Sequence, residues 1–186
     1  MANKTADGTY VYSFTQTDGA GNSSVVSAQF VRDTVAPLFA VGSASSATTA
    51  GSSHTWTGSC EAGIAVHVTG AVMTSLPCSG GAWTLSVSGA TDGLREYVVS
   101  QTDAAGNGTS VSLSWTRDTS LPNISLDVGV GATIDNNQNS ASWSGVCQTG
   151  IDIVVSGSDN QVIPCPAGVF TYHAPAQTSD ASRPTR

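Results

Sequence analysis

Two short stretches of the chain each place an Asp four residues before an Asn. They are TQTDGAGN at 15–22 and SQTDAAGN at 100–107, in a sequence with only 10% charged residues. Carboxylate and amide oxygens are the hard ligands that Ca²⁺ prefers. The same residues are typical of a tight turn, because Asp and Asn bond to nearby backbone groups and Gly tolerates positive φ. The motif alone leaves both interpretations open.

The cysteines are the second group that could carry chemistry. Cys60 and Cys78 recur as Cys147 and Cys165 with the same spacing. This spacing favours one disulfide in each pair, Cys60–Cys78 and Cys147–Cys165. Zinc is the alternative, but each pair would need two further ligands, and the three His do not recur with the cysteines. Disulfides indicate an oxidising compartment and therefore an exported protein.

No pattern in the chain predicts catalysis. No G-x-S-x-G elbow, C-x-x-C motif or phosphate-binding Gly loop is present. Acidic residues outnumber basic ones 13 to 6, which disfavours binding to nucleic acid. No apolar run is long enough for membrane insertion. We expect a protein that is not an enzyme.

An internal repeat indicates which elements must position these residues. Residues 7–37 align without gaps on 92–122 at an offset of 85, and 56–70 align on 143–157 at an offset of 87. One unit therefore spans about 86 residues. We expect the C-terminal part of a first unit at 1–34, a complete unit at 35–119 and the N-terminal part of a third at 120–186, irregular from about 174. Since the first residues, MANKTADGTYVYSF, do not form a secretory signal, we expect a piece of a longer protein.

The hydrophobic pattern within a unit has a period of two residues. In GIAVHVTG, it places Ile64, Val66 and Val68 on one face, and the second copy places Ile151, Ile153 and Val155 likewise. Short strands separated by Gly, Asn, Asp and Ser turns predict an all-β fold. We expect tandem immunoglobulin-like antiparallel β-sandwiches, with one complete unit between two partial ones.

Aromatic residues recur at three positions of the unit. Core packing is the favoured interpretation, because all three positions are in phase with inward-facing strand residues, and a sugar-stacking platform is the alternative. The recurring pairs are Trp56/Trp143, Trp83/Phe170 and Phe30/Trp115.

The order of these motifs resembles a known family. The run GSCEAGIAVHVTG, GAWTLSVSG, SQTDAAGNGTS and RDTSLP is similar to the bacterial immunoglobulin-like (Big) repeats of large cell-surface and adhesin proteins. The resemblance covers the central unit and both partial ones. It implies a spacer role at the cell surface and Ca²⁺ at the joints between repeats. The first Cys departs from the usual small residue at that position.

The topology of such a sandwich brings the two acidic loops together. The loop at 60–63, the loop at 102–107 and the incoming linker RDT at 32–34 would meet at one end of the domain. A simple turn is the favoured interpretation of these residues, and an interdomain Ca²⁺ site at Asp33, Glu61, Asp103 and Asn107 is the alternative. Gln148 replaces the Glu61 carboxylate in the next unit, so the charge set is not constant.

The expected function is mechanical. Disulfides and Pro-bearing linkers would stiffen a rod that presents distal domains of an extracellular or bacterial surface protein. The expected partners are neighbouring repeats, with host glycan or protein contacted through domains outside this chain. The alternative is an immunoglobulin-like module that itself binds a glycan or a host protein. Residues 1–34 and 120–186 are also complementary parts of one unit, which predicts head-to-tail self-association by strand donation.

Overall fold

The computed structural model describes residues 5–129, 131, 133 and 140–175 and divides after Thr119 into two compact units. From here on, the first unit means residues 1–119 and the second unit means residues 120–186, which differ from the repeat units expected from the sequence. The described residues form strands and turns without a helix, so no helix among them is long and apolar enough to cross a membrane. The strands of the first unit are β1 Gly8–Thr17, β2 Ser23–Arg32, β3 Ala40–Val41, β4 Ser46–Thr49, β5 Ser53–Ser59, β6 Val66–Gly70, β7 Thr74–Leu76, β8 Ala82–Ser88, β9 Gly93–Thr102 and β10 Gly108–Arg117. Those of the second unit are β11 Ile124–Leu126, β12 Ser142–Cys147, β13 Ile153–Val155, β14 Gln161–Ile163 and β15 Val169–His173.

Strands β3 to β10 form a β-sandwich. One sheet has the order β3-β5-β8 and the other β4-β10-β9-β6-β7. All pairs are antiparallel except β4 and β10, which run parallel. The all-β sandwich expected from the period-two pattern is therefore confirmed.

The core of this sandwich consists of alternate residues of the facing strands. β8 shows the pattern most plainly, because Trp83, Leu85 and Val87 are buried while the residues between them face solvent. The other buried apolar residues come from both sheets: Trp56, Cys60, Val66, Val68, Tyr97, Val99, Leu113 and Trp115. Ile64 differs from the prediction, since it lies in a turn and its strand begins at Val66.

Close packing explains one glycine in each three-stranded sheet. A Cβ on Gly58 would overlap the carbonyl oxygen of Ala40 and the indole ring of Trp83. A Cβ on Gly145 would overlap the carbonyl oxygen of Ser125 and crowd Phe170 in the same way. Glycine at these positions lets an aromatic ring lie directly over the neighbouring strand.

Strands β1 and β2 form a separate two-stranded hairpin before the sandwich. Their register pairs Gly8 with Arg32 and Thr17 with Ser23. β9 and β10 pair Gly93 with Arg117 in the register that the offset of 85 predicts. Nearly every residue of the hairpin is exposed, however, and none of the described strands covers it.

The second unit contains a three-stranded sheet, β11-β12-β15, and the hairpin β13-β14. β12 pairs with β15 at Gly145 and Phe170, as β5 pairs with β8 at Gly58 and Trp83. Its buried core is small: Cys147, Cys165 and Phe170. Ile151 lies in a turn and is 48% exposed, contrary to the inward position predicted for it. The predicted irregular tail lies outside the described residues from 176 onward.

Candidate functional site

The Asp103–Asn107 motif forms a tight turn between β9 and β10. One carboxylate oxygen of Asp103 accepts hydrogen bonds from the backbone N–H groups of Ala105 and Asn107, at 2.8 and 2.9 Å. The other accepts from the side-chain amide of Asn107 at 2.9 Å. Gly106 takes a φ of +93°, which a residue with a side chain rarely adopts. The geometry therefore shows that this motif forms a turn.

These hydrogen bonds stabilise the ionised carboxylate. The side-chain amide of Asn107, followed by the backbone N–H groups of the turn, lowers the pKa of Asp103 below its ordinary value. Asp18 and Asn22 repeat the arrangement in the β1–β2 hairpin, where the Asn22 amide lowers the pKa of Asp18.

Asn107 also joins the turn to the preceding linker. Its side-chain N–H group donates to the backbone oxygen of Asp33 at 3.2 Å. The Asp33 carboxylate accepts from the backbone N–H of Val35 at 3.0 Å, and Pro37 is buried. The linker thus lies against the end of the sandwich at which the β9–β10 turn is found. We call the contact between Asn107 and Asp33 the linker contact.

Gln101 is the buried polar residue that the sequence patterns did not reveal. It is fully buried, and its side-chain oxygen accepts from the backbone N–H of Glu61 at 2.9 Å. Its side-chain nitrogen donates to the backbone oxygens of Glu61 at 2.9 Å and Ile64 at 2.8 Å. Gln101 therefore fixes the loop after β5 to β9. The one available signal was its recurrence as Gln16 in TQTD.

The four residues predicted to bind Ca²⁺ lie at this end of the sandwich, but most of their contacts there are made by groups other than their side-chain oxygens. Asp33 accepts the side-chain N–H of Asn107 with its backbone oxygen. Glu61 contacts the Gln101 side chain through its backbone N–H and backbone oxygen. Both oxygens of the Asp103 carboxylate already accept hydrogen bonds. Among the described residues, no three His, Cys, Asp or Glu side chains are grouped as metal ligands. The contacts at this end are made mostly by groups other than the side-chain oxygens predicted to bind Ca²⁺, and the calcium site stays a prediction.

A second contact closes the opposite end of the β9–β10 pair. Asp92 forms an ion pair with Arg117 and accepts from the backbone N–H and the hydroxyl of Thr119, at 2.9 and 2.7 Å. The Thr119 backbone and hydroxyl, followed by the Arg117 charge, lower the pKa of Asp92. Asp7, Arg32 and Thr34 form the same set at the base of the β1–β2 hairpin. We call each set an Asp–Arg–Thr clasp.

Both predicted disulfide pairs are present. Cys60 is bonded to Cys78, with Cα atoms 6.0 Å apart, and Cys147 to Cys165, with Cα atoms 6.2 Å apart. Each bond ties the end of a strand to the segment that leads into that strand's neighbour in the same sheet. The two bonds are compatible with an extracellular location.

The aromatic residues of the central sandwich are core residues. Trp56, Trp83 and Trp115 are at most 1% exposed, so their faces are not available to a sugar. Trp56 packs edge-on against Tyr97 with ring centroids 5.6 Å apart. Phe30, at the Trp115 position of the hairpin, is instead 50% exposed, although the phase of its strand predicted burial.

Fold and contacts together define an all-β protein with a disulfide-bonded β-sandwich. No protein-family model matches the chain, and no curated protein is significantly similar to it in sequence.

Proposed function

We propose that the chain is a non-enzymatic spacer module of an exported bacterial surface or adhesin-like protein, built from tandem immunoglobulin-like units. In this proposal the chain is part of a stiff rod that presents binding domains located elsewhere in the protein. The observation that carries the proposal is the linker contact, in which Asn107 ties the incoming chain to its own sandwich.

Stiffness requires that each segment leaving a sandwich is held at more than one point. At one end of the sandwich the linker contact holds Asp33, while Pro37 is buried. At the other end the Asp–Arg–Thr clasp holds Thr119, the residue at which the chain leaves the unit. Together these hydrogen bonds restrict bending of the short segments at both ends of the sandwich.

The sequence resemblance to bacterial immunoglobulin-like repeats supports the same proposal. Two disulfides and a low content of charged residues suit an exported repeat protein. The extracellular bacterial surface and neighbouring repeats are accordingly the proposed location and partners.

The linker contact is tested by Asn107→Ala. We expect the backbone amides of residues 8–32 to share the rotational correlation time of the sandwich in the wild type and to tumble more freely in the variant, because the linker loses its contact. ¹⁵N relaxation on samples shown by light scattering to be monomeric measures this.

Asn22→Ala is the matched control for the turn. Asn22 makes the same contact with Asp18, but at the end of the hairpin remote from Asp33. This variant should leave the tumbling of residues 24–32 unchanged. If the wild-type hairpin already tumbles independently of the sandwich, the stiff-rod proposal is wrong.

Calcium remains a proposed ligand of the joint because Asp33, Asp103 and Asn107 lie together there. If Ca²⁺ binds the folded protein, it must raise the melting temperature of the first unit. A thermal melt with Ca²⁺ or with a chelator measures this in the wild type, Asp33→Ala and Asp103→Ala. Stabilisation lost in both variants supports the site, and an unchanged wild-type melting temperature contradicts it.

A further inference from the structure

The β1–β2 hairpin carries an apolar face that is exposed. Cross-strand partners lie on the same face, so Tyr12, Phe14, Ala28 and Phe30 share one side of the hairpin. Tyr12 is 42% exposed, Phe14 59% and Phe30 50%. We call this side the donor face. A row of exposed aromatic residues on an isolated hairpin indicates a missing partner.

The central sandwich shows what covers this kind of face. The residues of β9 and β10 at the corresponding positions are Tyr97, Val99, Leu113 and Trp115, and none is more than 3% exposed. The facing strands β5 and β8 cover them, and β6 lies beside β9 in the same sheet. Along its edge β9 pairs with β6, joining Val68 to Val99 and Gly70 to Tyr97.

The second unit contains copies of these three neighbouring strands. β12, β13 and β15 correspond to β5, β6 and β8, in the same pairing registers. The side chains that would contact a β9–β10 pair are only partly buried, whereas their counterparts Trp56, Val66 and Val68 are at most 2% exposed. We call this surface the acceptor face. It comprises Trp143, Ile153, Val155 and Tyr172.

We propose that the donor face of one copy docks on the acceptor face of a second copy, so that β1 adds to the edge of β13 and completes a sandwich. The central unit sets the register: Phe14 lies opposite Val155 and Tyr12 opposite Gly157. The occupant is a second copy because the donor hairpin matches β9–β10 in length, register and both end contacts.

A buried hydrogen-bond set supports this match. Gln101 bonds only to backbone groups of Glu61 and Ile64. At the equivalent acceptor turn, the Ile151 backbone N–H donates to the Gln148 oxygen at 3.2 Å, as Ile64 does to Glu61. The donor supplies Gln16 at the Gln101 position. Since only backbone groups take part, the replacement of Glu61 by Gln148 leaves the set intact.

The geometry of the first unit favours docking of a hairpin from a second copy on the acceptor face over docking of the chain's own hairpin. The hairpin joins the sandwich beside the β9–β10 turn, where Asp33 contacts Asn107. The chain leaves the unit beyond Arg117, at the other end of the ten-residue strand β10, roughly 30 Å away. A contact of unlike faces leaves a free donor face and a free acceptor face on each pair of copies, so it produces head-to-tail chains or rings.

The first test is the mass of the 186-residue chain in solution as a function of concentration. Between about 5 and 200 µM, a range that brackets moderate affinities, sedimentation should show the average mass rise at least about twofold above 18.7 kDa. A mass that stays at the monomer value throughout overturns the proposal.

Matched variants identify the faces. Phe14→Glu places a charge on the donor face and should keep the chain monomeric. Val11→Glu places the same charge on the opposite face, at the position of the exposed Glu96 in β9, and should associate like the wild type. Equal loss of association in both variants contradicts the assignment of the donor face.

Mixing two variants distinguishes the loss of one docking face from a general loss of folding. Phe14→Glu retains an acceptor face, and a chain with Ile153→Glu retains a donor hairpin even if its second unit unfolds. Alone, each should be monomeric, and together they should form a 1:1 dimer that does not grow. Absence of the mixed dimer overturns the proposal.

Cross-linking tests the register. Thr15→Cys in one chain and Val154→Cys in the other should form a disulfide-linked dimer, because the central unit pairs the corresponding residues Ser100 and His67. Ser13→Cys with Val154→Cys is the control, displaced by two residues. Equal yields from both pairs contradict the proposed register.

Discussion

At the residue scale, Gln101 connects strand β9 to the loop after β5 through a buried amide. It occupies a fully buried site, yet all three of its bonds go to backbone groups of Glu61 and Ile64. A buried polar side chain is tolerated when its hydrogen bonds are satisfied. The amide is suited to this position because it accepts from one N–H and donates to two carbonyl oxygens.

Gln101→Leu should lower the free energy of unfolding of the first unit by about 2–4 kcal/mol, because it leaves three backbone groups without their partner. Chemical denaturation monitored by tryptophan fluorescence measures the change. Gln16→Leu at the exposed hairpin position is the matched control, and at a concentration where the protein is monomeric it should have little effect. A cost below about 0.5 kcal/mol in Gln101→Leu would show that water replaces the amide without penalty.

At the element scale, the β9–β10 pair is closed at both ends by an Asp. Asp103 closes the turn and Asp92 closes the open end through Thr119 and Arg117. The β1–β2 hairpin has the same closures at Asp18 and Asp7. The two closures therefore fix both ends of the β1–β2 hairpin in the register seen in β9–β10.

These Asp contacts predict that the stability of the first unit decreases in acid. The pKa of Asp92 and that of Asp103 lie below the ordinary value of 3.8. Each group therefore stabilises the folded state fully above its unfolded pKa and loses this contribution as pH falls through the lower folded pKa. The melting temperature of the first unit should fall below about pH 4.

Asp92→Asn and Asp103→Asn test this dependence one group at a time. Each should lower the melting temperature at neutral pH and flatten its decrease between pH 4 and about pH 2, because the titrating group is gone. Calorimetry at a series of pH values provides the comparison. An unchanged slope in both variants would assign the acid sensitivity to other carboxylates.

At the scale of the whole molecule, the two units have separate cores. The core of the first is large and contains three tryptophans, whereas that of the second consists of Cys147, Cys165 and Phe170 with three partly buried neighbours. Units with separate cores unfold as separate cooperative transitions. The smaller core should unfold at the lower temperature.

The disulfides identify the transitions. Cys60→Ala/Cys78→Ala should lower the temperature of the upper transition alone. For the 18-residue separation, the free energy of unfolding of the first unit should fall by about 3 kcal/mol. Cys147→Ala/Cys165→Ala, with the same separation, should lower or abolish only the lower transition. Scanning calorimetry of the monomeric protein measures both. A single transition shifted by either pair would show that the units unfold together.

The sequence by itself determined the features that depend on neighbours along the chain. Alternation in segments such as AWTLSVS requires a strand with one buried face, and the paired offsets of 85 and 87 require equal registers in the repeated hairpins. The recurrence of Cys60 and Cys78 as Cys147 and Cys165 was sufficient for the pairing. The Asp103–Asn107 turn also follows from local chemistry, because its bonds connect residues at most four apart.

Only the tertiary structure decided the contacts between distant segments. Periodicity placed Phe30 and Trp115 on equivalent faces, but whether such a face is buried depends on the presence of a second sheet. It also placed Ile64 in the strand, whereas the Gln101 amide binds the Ile64 carbonyl within a turn. The Asp33 side chain was predicted as a ligand, yet its backbone oxygen meets Asn107. A side-chain pattern cannot show which backbone groups lie within reach, because that depends on how the strands pack in three dimensions.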